Sequence, residues 1–287
     1  MPDRGTGSAV QRPGPVVVTR PEPEAGAWVE ALRTRGFAAR RWPLIEIGDP
    51  VEPALQAALA HWRRGWPVFD ALMFVSGAAV QRFMASPELQ RPAEMPSTRF
   101  WAPGPGTARV LTHALGALGV PADRIDSPSA DAAQFDSEHL WPVVRSQMGP
   151  GRRVLVVRGR SVGQPDAAEG GLAGHGRDWL MARCREAGAV VDTCVAYERR
   201  PARFDADARQ RLAGLTAPGS VWLLSASEAV AALPGREAGI DWSASLALVT
   251  HPRIAEAARA LGFGRIELTR PLLPEVLRVL ESTAPSP

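Results

Sequence analysis

The chain has 287 residues, of which 45% are hydrophobic and 22% are charged, and its formal net charge is +3. This length favours two domains, and the composition is that of an ordinary globular protein. The sequence has no apolar run long enough to cross a bilayer and no cluster of lysine and arginine typical of nucleic-acid binding. We therefore expect neither a membrane nor a nucleic acid as partner, while a mildly basic protein is compatible with an acidic ligand.

The chain ends and the cysteines indicate the cellular compartment. Residues 1–15 are polar and rich in glycine and proline, without the apolar segment of a signal peptide. We expect this segment to be disordered and the protein to be cytoplasmic. Cys184 and Cys194 form no C-x-x-C pair, which is consistent with a reducing compartment.

The first elements are a strand, a helix and a second extended stretch. Three consecutive valines at 16–18 predict a buried strand. Apolar residues at 25, 28, 29 and 32 fall on one face of a helix, and Gly36 is suited to end it. An extended stretch at 37–42 then leads into residues 43–47, which we interpret as a linker.

The middle of the chain contains three more predicted strands, at 70–75, 99–102 and 124–126. A helix starts near Ala79 after the first of them, and a helix containing Leu111 and Leu115 follows the second. Residues 141–144 end another helix before a Gly-Pro-Gly turn at 149–151.

The opening pattern then returns. Residues 154–157 predict a strand, Leu180 and Cys184 belong to a helix stripe, and Gly188 ends that helix. The next strand begins at Val190 and continues into a second linker at 195–201, which contains Tyr197, the only tyrosine in the sequence. A glycine-rich stretch at 160–176 interrupts the pattern and favours a mobile surface loop.

The last third again alternates strands with helices. Strands are predicted at 221–224, 246–249 and 265–268. The first two are followed by helices, and a final helix covers residues 272–280. Residues 282–287 are expected to be disordered.

These elements form an internal duplication at about 140–150 residues, a period that indicates two domains of one kind. Residues 75–80 match 224–230, Gly36 matches Gly188, and Glu46 matches Glu198. Alternating strands and helices predict parallel sheets covered on both faces. The predicted fold is α/β, with two similar parallel-sheet domains joined by a two-stranded antiparallel linker and the second domain inserted in the first. The predicted boundaries are 16–42 with 203–281 for domain 1, 43–47 with 195–201 for the linker, and 48–194 for domain 2.

Ligands of such sheets bind at the carboxyl ends of the strands. Each of these ends carries small polar residues, glycine or arginine, next to the start of a helix whose free N–H groups suit carboxylates or phosphates. For any single position, ordinary helix capping explains the residue better. The whole set, with three arginines, favours a site for a polyanion in a cleft between the two halves. It comprises Thr19, Arg20, Pro21, Ser76, Gly77, Gly104, Thr107, Arg158, Gly159, Ser225, Ala226, Ser227, Thr250, Arg253 and Ile254.

Several cofactor and catalytic motifs are missing. The glycine-rich stretch has no G-x-x-x-x-G-K-[ST], and the turn from Gly104 to Gly106 lacks the third glycine of the dinucleotide fingerprint. The five histidines have no metal-binding spacing with cysteine or with each other. Residues 159–163 have the spacing G-x-S-x-G, but we see no case for a hydrolytic triad. We therefore predict no metal and no cofactor.

Tyr197 allows two interpretations. It can be a packed linker residue, or it can act as a weak acid facing a cleft. The residues alone leave both open.

The chain resembles the uroporphyrinogen-III synthase family over about residues 16–280. The resemblance depends on the order and spacing of several short motifs, each loose by itself. These are residues 18–21, 42–47, 74–76 with 79–80, 102–108, 156–159, 176–180 and 195–199.

The resemblance implies two α/β domains, the first made of both chain ends, joined by a two-stranded ladder. It implies that hydroxymethylbilane, a linear tetrapyrrole with eight carboxylates, loses its terminal hydroxyl and closes into uroporphyrinogen III with ring D inverted, without metal or cofactor. Tyr197 matches the family tyrosine suspected of donating a proton to the leaving hydroxyl. We expect a monomer that binds this small-molecule substrate.

Two departures from the family pattern stand out. Residues 160–175 are inserted where the family runs almost directly from one strand to the next helix, and they form either an inert loop or a lid. Residues 250–254 lack a Gly-x-Thr-Thr form found in some members. The alternative function is a two-lobed protein that binds an acidic small molecule without chemistry.

Overall fold

The computed structural model of the chain describes residues 14–86, 89, 96–129, 132, 134–162, 175–202, 204–231 and 233–283. The predicted disordered segments therefore lie largely outside the described residues, as does most of the insertion. At the carboxyl end, a helix reaches Thr283, inside the segment predicted as a tail.

The described elements alternate along the chain. The first are β1 (Val16–Val18), α1 (Glu24–Thr34), β2 (Ala39–Arg41), β3 (Ile45–Gly48), α2 (Pro53–Gly65), β4 (Ala71–Phe74), α3 (Gly77–Met84), β5 (Arg99–Trp101), α4 (Pro105–Ala117), β6 (Ile125–Asp126) and α5 (Ser137–Val144). They are followed by β7 (Arg153–Ser161), α6 (His175–Glu186), β8 (Val190–Pro201), α7 (Ala206–Leu215), β9 (Val221–Leu224), α8 (Ser227–Ala231), β10 (Leu246–Val249), α9 (Pro252–Leu261), β11 (Arg265–Leu268) and α10 (Leu273–Thr283).

The chain divides into two compact units. The first unit holds the described residues up to Glu46 and from Arg200 onward, and the second is Ile47–Arg199. The chain passes from one unit to the other within β3 and within β8, the two strands that contain the predicted linkers. The antiparallel pairing predicted for them stays a prediction.

The described residues of each unit form one sheet, and the two sheets share the order of five strands. The first has the strand order β11-β10-β9-β1-β2, in which every pairing is parallel. The second has the order β3-β8-β7-β4-β5-β6, and its pairings from β8 to β6 are parallel. Strands β2, β1, β9, β10 and β11 thus correspond to β8, β7, β4, β5 and β6. The prediction of two similar α/β halves is confirmed.

The second sheet is covered on both faces. In β7, Leu155 and Val157 belong to one apolar cluster, and Val154 and Val156 belong to another. Alternate residues of a strand point to opposite faces, so the two clusters lie on opposite sides of the sheet. This explains why the sequence of the strand is a continuous apolar run.

Local sequence signals set the helix ends. Asp136 and Asp205 accept backbone N–H bonds from His139 and Ala208 at 2.9 and 2.7 Å, as N-cap carboxylates do. Gly36 and Gly188 follow α1 and α6 with φ of +84° and +90°, a conformation that favours glycine. Both glycines end the helices that the sequence predicted.

Three features differ from the predicted elements. Helices α2 and α7 were not predicted, although Pro53 in the first turn and the Asp205 cap mark their starts. Strand β7 continues through Arg158 and Gly159 to Ser161, beyond the predicted end of the strand, because it stays paired with the long strand β8.

No helix among the described residues has the length and apolar character needed to span a membrane.

Candidate functional site

Polar residues of the second unit gather where its sheet strands end. Ser76 lies two residues after the end of β4 and caps α3, and its Oγ accepts the Ala79 N–H at 3.2 Å. Gly104 holds the same place before α4. A Cβ on Gly104 would come within 2.7 Å of the Phe135 side chain, so only glycine fits there without a shift.

Tyr197 is brought to Ser76. Its hydroxyl lies 3.1 Å from Ser76 Oγ, and either oxygen can donate in this bond. Only 4% of Tyr197 is exposed, and its ring belongs to the same apolar cluster as Leu155 and Val157. The side chain is therefore held at both its ring and its hydroxyl.

Gly159 provides the space for the Tyr197 ring. The two residues are cross-strand partners, and a Cβ on Gly159 would lie 2.3 Å from Cε2 and Cζ of the ring. No real side chain tolerates that separation. Gly159 is thus adapted to Tyr197, where the sequence had suggested a strand end before a helix.

Arg158 lies on β7 opposite Val195. By the alternation of a strand it shares the face of Val154 and Val156, and Gly159 shares the face of Leu155 and Val157. The sequence pattern predicted Arg158 and Gly159 at the carboxyl end of this strand, directly before a helix. The strand instead continues to Ser161 and directs the two residues to opposite faces.

In the first unit, the residues after β1 are bonded within the fold. Thr19 is buried and its hydroxyl donates to the Leu223 carbonyl oxygen at 2.6 Å, which ties β1 to β9. The Arg20 guanidinium lies 2.6 Å from Glu24 and 4.1 Å from the centre of the Trp28 ring. Pro21 accepts a backbone bond from Ala25 at the start of α1. These contacts favour a structural role for the side chains of Thr19 and Arg20 over a role in ligand binding.

The remaining predicted positions lie after β9 and β10. Ser225 and Ala226 precede α8, Ser227 begins it, and Thr250 precedes the capping residue of α9. Arg253 is exposed in the first turn of α9, whereas Ile254 is buried. Thr107 is half-buried in the first turn of α4, and Gly77 begins α3. All sixteen site residues, Tyr197 included, remain predictions as ligands of a substrate.

The cleft predicted between the two halves also stays a prediction. The described geometry locates site residues in each unit separately.

An ion-pair network beside Tyr197 was missed by the sequence analysis. Arg160 Nη2 contacts Glu198 Oε1 at 2.6 Å and Glu52 Oε1 at 2.7 Å. Glu198 is completely buried, and its side chain is the cross-strand neighbour of Arg160. Hydrogen bonds to Glu52 and then to Glu198 raise the pKa of the Arg160 guanidinium above its usual range.

This network corrects the interpretation of the insertion. Residues 160 and 161 were assigned to a surface loop, but they complete β7, and His175 already belongs to α6. Residues 163–174, the rest of the insertion, lie outside the described residues. Two residues so far apart in sequence as Glu52 and Arg160 leave no local signal of their contact.

Metal binding has no candidate group in the described part of the chain. No cluster of three or more histidine, cysteine, aspartate or glutamate side chains there could hold an ion. The predicted site residues supply hydroxyls, guanidinium groups and backbone N–H groups at helix starts. Such groups bind acidic ligands and transfer protons.

The fold and site together define a class of protein: a repeated α/β protein with polar residues at the carboxyl ends of parallel strands in both sheets. Residues 26–271 match the family described as HEM4, Uroporphyrinogen-III synthase HemD. Because this match covers most of the chain, the chain belongs to the uroporphyrinogen-III synthase family. Membership confirms the resemblance, indicates an enzyme of porphyrin and heme biosynthesis with a tetrapyrrole substrate, and does not favour the non-catalytic binding protein.

Solved structures agree on the fold. A mutant uroporphyrinogen III synthase from the extremely thermophilic bacterium Thermus thermophilus is 18% identical, with 94% of this chain and 98% of that chain covered and a TM-score of 0.51. The uroporphyrinogen-III synthetase from Helicobacter pylori is 15% identical, with 94% and 99% covered and a TM-score of 0.51. At these identities the likeness concerns the fold. The search among curated proteins gave no match.

Proposed function

We propose that this chain converts hydroxymethylbilane into uroporphyrinogen III, closing the macrocycle with ring D inverted and releasing water. It acts as a cofactor-free lyase, as a cytoplasmic monomer. The observation that carries the proposal is the combination of family membership with Tyr197, held within β8 at hydrogen-bond distance from Ser76.

Tyr197 acts as the general acid. Its phenolic O–H gives a proton to the terminal hydroxyl of the bilane as the C–O bond breaks, which releases water and leaves a cation delocalised over the pyrrole. The ring D carbon that already carries the bridge to ring C attacks this cation and gives a spiro intermediate. The bond from that carbon to the bridge then breaks, and the bridge carbon joins the unsubstituted α carbon of the same ring, which inverts ring D. The proton that this α carbon loses as the ring becomes aromatic again returns to the phenolate. The net change is therefore the loss of one water molecule.

Substrate recognition relies on the eight carboxylates of the bilane. The first turns of α3 and α4, near Gly77 and Thr107, offer backbone N–H groups and a partial positive charge to these carboxylates. Arg158 and Arg253 add positive charge in the second and first unit. The hydroxyl and the N–H of Thr19 already donate to the Leu223 carbonyl oxygen, and the Arg20 side chain is bonded to Glu24. Arg20 therefore contributes through its backbone N–H, and Thr19 contributes by holding the end of the sheet.

Much of the catalytic effect comes from positioning. Spontaneous closure of the bilane gives the type I isomer without inversion, so the protein must hold the chain in the folded form that leads to type III. The test is incubation of the purified protein with hydroxymethylbilane and separation of the product isomers. Type III product supports the proposal, and type I product at the spontaneous rate supports a binding protein.

The role of Tyr197 is tested by Tyr197→Phe, which keeps the ring and removes the proton donor. We expect the rate to fall about 10- to 1000-fold, or about 1.4–4 kcal/mol of barrier, because a general acid supplies part of the acceleration and the cation is already stabilised. The product should remain mostly type III.

Two results would contradict this role. A wild-type rate would leave Tyr197 as a packing residue. Type I product at a near-normal rate of substrate consumption would mean that Tyr197 steers ring D and does not act mainly as an acid.

A further inference from the structure

A β-bulge in β8 lies immediately before Tyr197. Along β7, Arg158 is paired with Val195, but the next residue, Gly159, is paired with Tyr197. Ala196 is therefore an extra residue without a partner on β7, the arrangement that defines a bulge. Bulges redirect the side chains that follow them.

The bulge decides which face of the sheet Tyr197 occupies. Cys194 and Ala196 belong to the same apolar cluster, as expected for residues two positions apart in a strand. In a regular strand Tyr197 would point to the opposite face, yet it joins that same cluster. Without the extra residue, the phenol would be directed away from Ser76.

Gly159 makes this placement possible. It continues the face of Leu155 and Val157, directly opposite Tyr197, and carries no side chain. The Tyr197 ring occupies the volume that a Cβ would need, at 2.3 Å. The bulge directs the ring to this face, and the glycine allows it to lie flat on the neighbouring strand.

The next cross-strand pair holds the register beyond the bulge. Arg160 is paired with Glu198, and their side chains form the 2.6 Å ion pair on the other face. Glu198 is completely buried, so a slip by one residue would move its carboxylate from its charged partner. Glu52 holds the same Arg160 atom from α2's capping position, at 2.7 Å.

We propose that Gly159, Arg160 and Glu198 are positioning residues that fix the Tyr197 phenol beside Ser76 for the reaction. This inference rests on the proposed function, since it assigns value to the place of a phenol that acts as the acid. The three residues act through Tyr197 and need no contact with the substrate for this role.

The experiment uses the single tyrosine of the chain as a probe. Protein labelled with 3-fluorotyrosine gives one ¹⁹F resonance, which reports Tyr197 alone. Gly159→Ala is compared with Gly116→Ala, whose Cβ would meet nothing within 4 Å. We expect Gly159→Ala to shift the resonance and to lower the rate at least tenfold, and Gly116→Ala to do neither.

A double variant tests whether the rate loss in Gly159→Ala arises through Tyr197. In the Tyr197→Phe background, Gly159→Ala should lower the rate by less than about threefold, because the group it misplaces is already absent. A second tenfold loss there would overturn the proposal, since Gly159 would then act independently of the phenol.

Arg160 provides a test that does not crowd the ring. Arg160→Met removes the charge and should shift the ¹⁹F resonance and lower the rate, and Arg160→Lys should restore both in large part. An unshifted resonance in Arg160→Met and Gly159→Ala would overturn the proposal. A shifted resonance with a normal rate would also overturn it.

Failure of the proposed function looks different. If Tyr197→Phe has the wild-type rate, the acid role is lost, whereas the resonance shifts in the Gly159 and Arg160 variants would still be observed. If Gly159→Ala does not fold, the two Arg160 variants decide the outcome.

Discussion

The equivalent strand pairs of the two units, β1–β2 and β7–β8, differ in length and in the residues that they carry. In the first unit both strands have three residues, and Thr19 beyond β1 closes the end of the sheet by bonding Leu223. In the second unit the strands have nine and twelve residues, and the ladder continues to carry Gly159 and Tyr197. The two units share a topology, and the longer strand pair of the second unit positions Tyr197, the proposed acid.

The same contrast appears in the two glutamates that the repeat aligns. Glu46 of the first unit is exposed, and Glu198 of the second is fully buried beside Arg160. Residues at equivalent positions of the repeat are thus expected to contribute very differently to the free energy of unfolding.

Replacement of these glutamates should give the largest difference between the units. Glu198→Ala breaks a buried ion pair and should lower the free energy of unfolding by about 3–5 kcal/mol. Glu46→Ala removes an exposed side chain and should change it by no more than about 0.5 kcal/mol. Urea unfolding of both variants measures the difference, and equal effects would contradict the contrast.

The helix-ending glycines give a smaller effect. Gly36→Ala meets nothing within 4 Å and suffers only the left-handed strain of about 1–2 kcal/mol. Gly188→Ala adds a contact of 3.1 Å with the Pro150 Cα, so we expect about 2–3 kcal/mol. In thermal unfolding, Gly188→Ala should lower the melting temperature more than Gly36→Ala does. The reverse order would show that the segment containing Pro150 moves freely.

Removal of the hydroxyls at the two sheet ends should change the reaction rate by different amounts and the free energy of unfolding by similar amounts. Thr19→Val loses a buried bond and Ser76→Ala loses a helix cap, each at about 1 kcal/mol. Ser76→Ala also removes the partner of Tyr197, and its rate should fall about tenfold, or 1.4 kcal/mol of barrier. A rate loss in Thr19→Val as large as that in Ser76→Ala would remove the distinction.

The last effect depends on alkaline pH. Burial raises the pKa of the Cys184 thiol to about 11 and that of Cys194 to about 12, and both lie in the second unit. Above about pH 8.5 the unfolded chain releases these protons and the folded unit keeps them. The free energy of unfolding of the second unit should therefore be insensitive to the thiols below about pH 8.5 and decline above it.

This slope can be assigned to the thiols by a double variant. Cys184→Ala/Cys194→Ala should lose the decline, while the first unit, which has no cysteine, should not show it. A slope that persists in the double variant would assign it to other groups.

Much of the fold could be predicted because its signals are local. Valine-rich runs identified the strands buried on both faces, and Gly36 and Gly188 identified helix ends whose conformation requires glycine. The order of these signals along the chain was enough to reveal the repeat. The Asp205 cap marks α7 equally well, and it was overlooked.

The site was predicted less completely because its geometry depends on pairing between distant strands. The position of Tyr197 was recognised, but its face of the sheet is set by the bulge at Ala196, which has no signature in the sequence around it. Arg160 was assigned to a loop because glycine-rich sequence follows it, whereas its contacts with Glu52 and Glu198 hold it in a strand.

The division of the first unit into two chain segments has a consequence for biosynthesis. Leu223 is made 204 residues after Thr19, so β1 waits about 10–40 s for its neighbour β9 at about 5–20 residues per second. The second unit is one continuous segment and can complete its sheet during that interval. We expect nascent chains to fold from the middle outward, with the valines of β1 relying on chaperones or on the ribosome surface until the carboxyl-terminal half emerges.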